Sequence, residues 1–420
     1  MPTPAPATNI DKRVQVLVEE AFPNHEILEV SNGSENGNNF LGLISEVTVS
    51  KKKEDHQHDT SYIILKTAPQ EEYNRKVFPI RDIYQREIFT YNDILSEFLK
   101  IQVEKKLTAG FQTFPKIYLT SSDNLQEALL MENMKKKGFK HINHRVGIDY
   151  PHALLVMKEL GKFHALSYAM RDQKPKIFNE WADDCAECFF SNNYWSDLAI
   201  KAISKLTKDV INSFPPNEHE EERKALEKFV NILPTVYKNI FVIKEDDRKY
   251  AVINHGDLEI RNLLFKYGDF GNTEIPTELS MLDWQLARFA SPALDILFFI
   301  FVCTDKGLRE HYYMQLIESY YQSLSDFLEK LGSDPKTALP YEVLLQHLEK
   351  FAGFGLFTAI WFNATNLKES DDVPDYYSTD CDDVLVTMMT TVPKRGYLQR
   401  TRDVVTDMIK YGYRFTDPLI

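Results

Sequence analysis

Cysteine is scarce in this chain: Cys185, Cys188, Cys303 and Cys381 are the only four in 420 residues. So few and so scattered, they exclude a disulfide-stapled scaffold and fit a reducing compartment. Cys185-Ala-Glu-Cys188 has C-x-x-C spacing, but it lacks the second Cys or His pair of a zinc site and the βαβ context of a thioredoxin-like centre. We read it as two buried helical thiols. Positive charge is also in deficit: the formal net charge is −13, which argues against a general binder of nucleic acid or anionic membrane. Long apolar runs are missing. The longest, Ala293 to Val302, contains Asp295 and falls well short of the roughly 20 residues that span a bilayer. Residues 1–8 carry neither the basic nor the apolar block of a signal peptide. The expectation is a soluble cytoplasmic protein with no membrane span and no nucleic-acid partner, acting as a monomer. No G-x-x-x-x-G-K-[ST], G-x-S-x-G or H-E-x-x-H occurs, so P-loop, serine-hydrolase and zincin chemistries lack their motifs.

What is present is ordinary globular composition, 43% apolar and 26% charged, on a length that suits two or three core-forming units. Residues 1–26 read as a tail and first helix. Residues 27–134 have strand texture, with β-rich runs at Phe40 to Val49, Ser61 to Lys66, Lys116 to Leu119 and Gln126 to Glu132. One helix interrupts them, Ile83 to Phe98, where Tyr84, Ile88, Tyr91, Leu95 and Phe98 recur at helical spacing. Beyond Met134 helical periodicity dominates residues 135–420. Helices are expected from Asp149 onward and near 198–213, 219–240, 308–331, 341–366 and 396–411. A strand-rich island lies between them, at Tyr250 to Asn254, Leu263 to Lys266 and Leu279 to Leu282. The expected class is α+β, with a small antiparallel-sheet lobe carrying one key helix and a larger, mostly helical lobe.

The island holds the strongest chemical signal, His255-Gly-Asp-Leu-Glu-Ile-Arg-Asn262, of the form H-G-D-x-x-x-x-N. Phosphoryl transfer to a hydroxyl needs a carboxylate to orient the nucleophile and accept its proton, and an amide oxygen to hold a metal ion on the phosphates. Asp257 and Asn262 supply both from one loop. A second carboxylate must reach the metal. Asp269-Phe-Gly271 spells a familiar metal-binding tripeptide, but a strand rising about 3.3 Å per residue leaves Asp269 roughly 20 Å from the loop. A returning antiparallel strand instead brings Asp283 of Leu282-Asp-Trp-Gln285 beside Asn262, so Asp283 is assigned to the metal and Asp269 to a hairpin turn.

The first lobe should supply a lysine for the α- and β-phosphates, held by a helix glutamate. Lys66 ends a strand. Glu87 falls among Ile80, Tyr84, Tyr91 and Ile94, where an unpaired carboxylate is costly, so a Lys66–Glu87 pair is expected. Asn32 to Phe40 is Gly/Asn-rich and precedes a strand, which makes Gly33, Gly37 and Asn39 candidates to cover the phosphates. Leu129 to Met134 runs from a strand into the connector, and Glu132 and Met134 are the candidates beside an adenine.

These motifs in order resemble the ecdysteroid kinase-like family, also called CHK kinase-like or juvenile hormone-inducible-like, in the aminoglycoside phosphotransferase and choline kinase branch of the protein kinase-like fold. Lys66, Arg86-Glu87-Ile-Phe-Thr-Tyr91, Leu130 to Met134, Leu160 to Ser167, the His255-Gly-Asp loop and Leu282 to Gln285 carry the resemblance. It implies a two-lobed kinase-like fold, ATP and Mg²⁺ as cofactors, Asp257 as base, and Asn262 and Asp283 as magnesium ligands. It also implies Lys66 and Glu87 as the phosphate-side pair and a small-molecule alcohol as acceptor. His164 and His255 are expected to be structural.

Departures are Gly37-Asn-Asn39, Glu132-Asn133 and Asp283-Trp-Gln285, where relatives commonly read Gly-Asp-Asn, Glu-Asp and Asp-Phe-Gln. An ecdysteroid or another lipophilic hydroxyl compound is the favoured acceptor. The alternatives are a choline, ethanolamine or aminoglycoside-type kinase and a catalytically silent nucleotide-binding scaffold. Phe351, Phe354, Phe357, Trp361 and Phe362 either wall a pocket for a flat substrate or pack the core. The acidic stretch 369–383 either attracts a cationic amino-alcohol or is a solvated loop.

Overall fold

The computed structural model describes residues 12–33, 41–52, 58–190, 193–268, 275–368, 391–393 and 396–415. Asp269, Cys381 and the acidic stretch 369–383 lie outside them, as do Gly37 and Asn39.

The chain begins with α1 (Lys12–Ala21), β1 (Glu26–Asn32), β2 (Leu43–Lys52), β3 (His58–Thr67), α2 (Glu72–Val77), α3 (Ile80–Phe89) and α4 (Ser96–Glu104), followed by β4 (Ile117–Ser121) and β5 (Ala128–Glu132). The five strands form one antiparallel sheet in the order β1-β2-β3-β5-β4. Side chains alternate across a strand, so Ile63 and Leu65 of β3 and Val47 and Val49 of β2 turn to one face, where Val14 and Val18 of α1 cover them. Leu129 and Met131 turn to the other face and join the main core with Ile83, Tyr84 and Ile88 of α3. By the same alternation Lys66, itself buried, faces the α3 side.

The rest is mostly helical: α5 (Tyr150–Gln173), α6 (Pro175–Asp184), α7 (Asn193–Ser213), α8 (Glu220–Asn239) and the single turn α9 (Glu245–Arg248). Strands β6 (Val252–Asn254), β7 (Leu263–Tyr267), β8 (Pro276–Met281) and β9 (Arg288–Ala290) come next. Then follow α10 (Ala293–Cys303), α11 (Lys306–Leu331), the short α12 (Pro335–Ala338), α13 (Tyr341–Lys350), α14 (Ala352–Asn366) and α15 (Tyr397–Lys410). Asp149 caps α5 as its sequence suggests, its carboxylate accepting from the amide of His152. The two small sheets are antiparallel hairpin-like pairs, β6 with β9 and β7 with β8.

Several expectations are corrected. The helix placed at Ile83 to Phe98 runs from Ile80 to Glu104 through a π-helical stretch, Thr90–Leu95. The hydroxyls of Thr90 and Ser96 donate to the carbonyls of Arg86 and Tyr91 there, competing with the regular ladder. The helix expected over 341–366 breaks at Phe351, which leaves helical dihedrals (φ −98°, ψ 11°). α10 was not expected because every residue in it is buried. A helix apolar all round shows no amphipathic period. α6, β1 and β9 were also not foreseen. Cys185 and Cys188 are not helical: Cys185 follows the last turn of α6 and is buried, while Cys188 is half-exposed beyond it. Burial pushes both thiols up, Cys185 to about 12 and Cys188 to about 11, which keeps them unreactive near neutral pH. Phe351, Phe354 and Phe357 are core residues, packed against Phe190, Tyr237, Phe241, Phe298 and His347.

Candidate active site

The site grows from the strand–loop–strand unit β6 to β7. β6 is wholly buried, and the chain leaves it through His255 and Gly256. Gly256 adopts φ +85°, and a Cβ there would lie 1.9 Å from the carbonyl oxygen of Leu286, so only glycine fits. The backbone amides of His255 and Gly256 donate to the two carboxylate oxygens of Asp295, at 2.6 and 2.9 Å. Asp295 is 1% exposed, yet its carboxyl stays below the ordinary range. Burial acts the other way, but the hydrogen bonds from His164 and the Gly256 amide outweigh it. His255 donates from Nε2 to the carbonyl of Leu282 at 3.0 Å and accepts at Nδ1 from the amide of Asp257 at 3.3 Å. Burial holds both His164 and His255 below the usual imidazole value, hence neutral. The His255 ring fastens the loop to Leu282, and the His164 ring, on α5, bonds Asp295 and the hydroxyl of Tyr320.

Asp257 follows directly and is 8% exposed. Its Oδ2 accepts from Nδ2 of Asn262 at 3.0 Å, and the same nitrogen reaches its own carbonyl at 2.9 Å. Its Oδ1 is buried without a hydrogen-bond partner. Burial above all, then the charges of Glu259 and Asp283, pushes its carboxyl well above the usual range. Glu259 is itself paired to Arg261 at 2.9 Å. The β7–β8 ladder sets Leu263 opposite Met281, and the amide of Leu282 donates to the carbonyl of Asn262 at 2.9 Å. This register brings Asp283 beside Asn262. Asp283 sits in the left-handed region at φ +65°, a conformation that costs a non-glycine residue free energy and clusters at functional sites.

From the first lobe, Lys66 reaches into the same place. Its Nζ lies 2.6 Å from Oε2 of Glu87 and 2.8 Å from Oδ1 of Asp283. Burial would lower the ammonium, but Asp283 and Glu87 hold it well above its ordinary value. Glu87, 1% exposed, is pushed up to about 7, chiefly by burial and further by Asp283, against the pull of Lys66. One buried cation thus serves two carboxylates, an arrangement that is costly to leave half-paired.

The remaining expected positions are less tightly gathered. Gly33 ends the hydrogen bonding of β1, its amide donating to Ile44 at 2.9 Å. Glu132 closes β5 and pairs with Lys137 at 2.6 Å. Met134 packs with Phe139, Leu264 and Leu282, directly under the hairpin that carries Asp283. The sequence reading gave no role to Gly42, Arg86, Arg288 and Asp295. A Cβ on Gly42 would stand 2.6 Å from the hydroxyl of Tyr84 and 3.5 Å from Cε of Lys66, so the backbone closes over the lysine there. Asp295 did leave a signal, a lone charge in the most apolar run of the chain.

The residues present suit a hard cation. Asn262 spends its amide nitrogen on Asp257, leaving the amide oxygen for a metal, and Asp283 adds a carboxylate 28% exposed. Among the described residues no group of three or more His, Cys, Asp or Glu is arranged to hold a metal. A magnesium site of one carboxylate, one amide and nucleotide phosphates requires none.

A model of the ecdysteroid kinase-like family matches residues 36–333. The chain belongs to this family, a family of kinase-like phosphotransferases. Solved structures similar to it include Plasmodium vivax ethanolamine kinase (12% identity, covering 94% of this chain and 84% of that one, TM-score 0.41). Choline kinase from Cryptosporidium parvum Iowa II is similar as well (11% identity, 96% and 95% covered, TM-score 0.41). So is the GDP complex of wild-type aminoglycoside 2'-phosphotransferase-IIIa (11% identity, 90% and 97% covered, TM-score 0.37). No curated protein sequence matches. Among the described residues no helix is long and apolar enough to cross a membrane.

Proposed function

We propose that the chain transfers the γ-phosphoryl group of Mg·ATP to an alcohol hydroxyl on a small molecule, an ecdysteroid or another lipophilic hydroxyl compound. The observation that carries this reading is the convergence of Lys66, Glu87 and Asp283 within 2.6 to 2.8 Å, beside a loop in which Asp257 and Asn262 are hydrogen-bonded to each other. In this reading Asp257 orients the acceptor hydroxyl and receives its proton at Oδ1, the oxygen without a partner. Asn262 and Asp283 hold the magnesium ion, whose chemistry when bound is to neutralise charge developing on the phosphates. Lys66 binds the α- and β-phosphates and Glu87 aims it. Gly33, Gly37 and Asn39 cover the phosphates, and Glu132 and Met134 flank the adenine. The choice of a lipophilic acceptor rests on family membership, since Phe351, Phe354 and Phe357, candidates to wall a pocket, are spent on the core.

The nucleotide part is tested by melting the protein with ATP, with and without Mg²⁺. Ligand at about 100 times its Kd adds about 2.7 kcal/mol to the folded state, a rise of several degrees that should require the metal. An unchanged melting temperature counts against every kinase reading.

A further inference from the structure

Two buried arginines that play no part in the chemistry above reach one short segment from opposite sides. Arg86 is the neighbour of Glu87 on α3, but its guanidinium leaves the first lobe. Nη1 donates to the carbonyl of Ala287, just past the turn after Asp283, and Nη2 donates to the carbonyls of Asp184 and Ala186, each at 2.8 Å. Asp184 is the last residue of α6, so its carbonyl is one of the helix-end acceptors without an intrahelical partner, at the negative end of the dipole.

Arg288 approaches the same segment from the other side. Its Nη1 lies 2.7 Å from Oε2 of Glu187, and its Nη2 donates to the carbonyl of Gly256, the residue before Asp257. Its guanidinium carbon stands 5.5, 4.9 and 5.8 Å from the ring centroids of Phe190, Phe241 and Phe354, a cage that leaves the charge no other outlet. The segment between the arginines is itself rigid. Oε1 of Glu187 accepts from the amides of Phe189 and Phe190 at 2.6 and 2.7 Å, and the carbonyl of Cys185 accepts from Phe289 at 2.8 Å.

We infer that Arg86, residues 184–190 and Arg288 form a clasp that fixes the helix bearing Glu87 against the loop bearing Asp257, making Arg86 and Arg288 positioning residues for phosphoryl transfer. The inference rests on the kinase reading for what is positioned, but the clasp stands on contacts alone. Lys66 depends on Glu87 for its aim, and in-line transfer tolerates little displacement, about 1 Å costing on the order of 100-fold. The C-x-x-C of the sequence falls in this segment. Its thiols are bystanders, and the working groups are the carbonyls of 184 and 186 and the carboxylate of Glu187.

The test is amide hydrogen exchange on the full chain, comparing wild type with Arg86→Met, Arg86→Lys and Glu187→Gln, alongside steady-state kinetics. Arg86→Met is expected to raise exchange not only in α3 and around residue 184 but also in the catalytic loop, residues 253–262, leaving β3–β5 protected. Glu187→Gln is expected to raise exchange in α3, which it does not touch. A positioning role predicts that kcat falls at least about tenfold while KM for Mg·ATP changes less than about threefold, with partial recovery in Arg86→Lys, which keeps the charge but not the fork. If Arg86→Met does not fold, Arg86→Lys carries the same exchange comparison with a smaller effect. Exchange confined to the mutated contact, with the far element unchanged, overturns the clasp. Failure of the kinase reading shows separately, as wild type that neither binds nor consumes Mg·ATP, while the exchange pattern still reports on the clasp.

Discussion

Two buried carboxylates meet at the start of one loop, Asp257 within it and Asp295 bonded to its first two amides from α10, and they titrate in opposite directions. Asp295, in the first turn of α10, is held below the usual range, whereas Asp257, 1% versus 8% exposed being no great difference, is pushed well above it. Desolvation penalises both. Asp295 receives two backbone amides and His164, while Asp257 has one amide donor, one orphaned oxygen and two anionic neighbours, Glu259 and Asp283. A buried carboxylate surrounded by donors stays ionised, and one left short of donors among like charges takes up a proton more readily.

Breaking the comparison at Asp257 should have the largest effect. Asp257→Asn is expected to cut turnover by about 10²- to 10⁴-fold if it takes the proton, with a melting temperature equal to or above that of wild type, since a disfavoured buried charge is removed. Kinetics and calorimetry on one preparation check both. Asp295→Ala is the opposite experiment. It leaves two amides without partners and should destabilise the fold by about 3 to 5 kcal/mol, read by denaturant unfolding. Glu87→Gln should weaken Mg·ATP binding by about tenfold and also lower stability, because Lys66 is left with Asp283 as its one anionic partner; isothermal calorimetry and denaturant unfolding decide it.

The smallest effect is the pH dependence of stability, measured by unfolding at each pH without nucleotide. His164 and His255 are depressed below 6.5 in the folded state, so between their folded values and 6.5 they take stability away as pH falls, while Glu87, held up at about 7 in the folded state, offsets part of that loss between about 7 and 4.5. Asp295 adds to the loss below its ordinary 3.8. Asp257 acts in reverse, its folded state binding the proton above 3.8 and so gaining stability as pH drops. Asp257→Asn should therefore steepen the acid loss, and Asp295→Asn should flatten it.

The sequence made the clustering of the candidate residues more legible than the scaffold that holds them. Asp257 and Asn262 share one loop, and the pairing of β7 with β8 needed only a hairpin register to bring Asp283 near. Lys66 and Glu87 announced each other because a lone carboxylate on an apolar helix face demands a partner. Asp295, Arg86 and Arg288 hold backbone amides and carbonyls as far as 40, 201 and 32 residues away, and backbone groups carry no residue signature. α10 hid because it is apolar on all sides, and the aromatic residues near 351–362 hid their role because pocket and core demand the same residue types.

The most direct measurement is mass spectrometry of a mixed panel of ecdysteroids, other sterols, choline, ethanolamine and aminoglycosides after incubation with Mg·ATP and either wild-type or Asp257→Asn protein. The account predicts one phosphate gained by a hydroxyl compound with the wild-type protein and not with the variant, a steroid marking the lipophilic acceptor proposed above and an amine moving the acceptor to the choline-kinase side. Equal product from the two proteins, or none from any compound despite Mg·ATP binding, would contradict it.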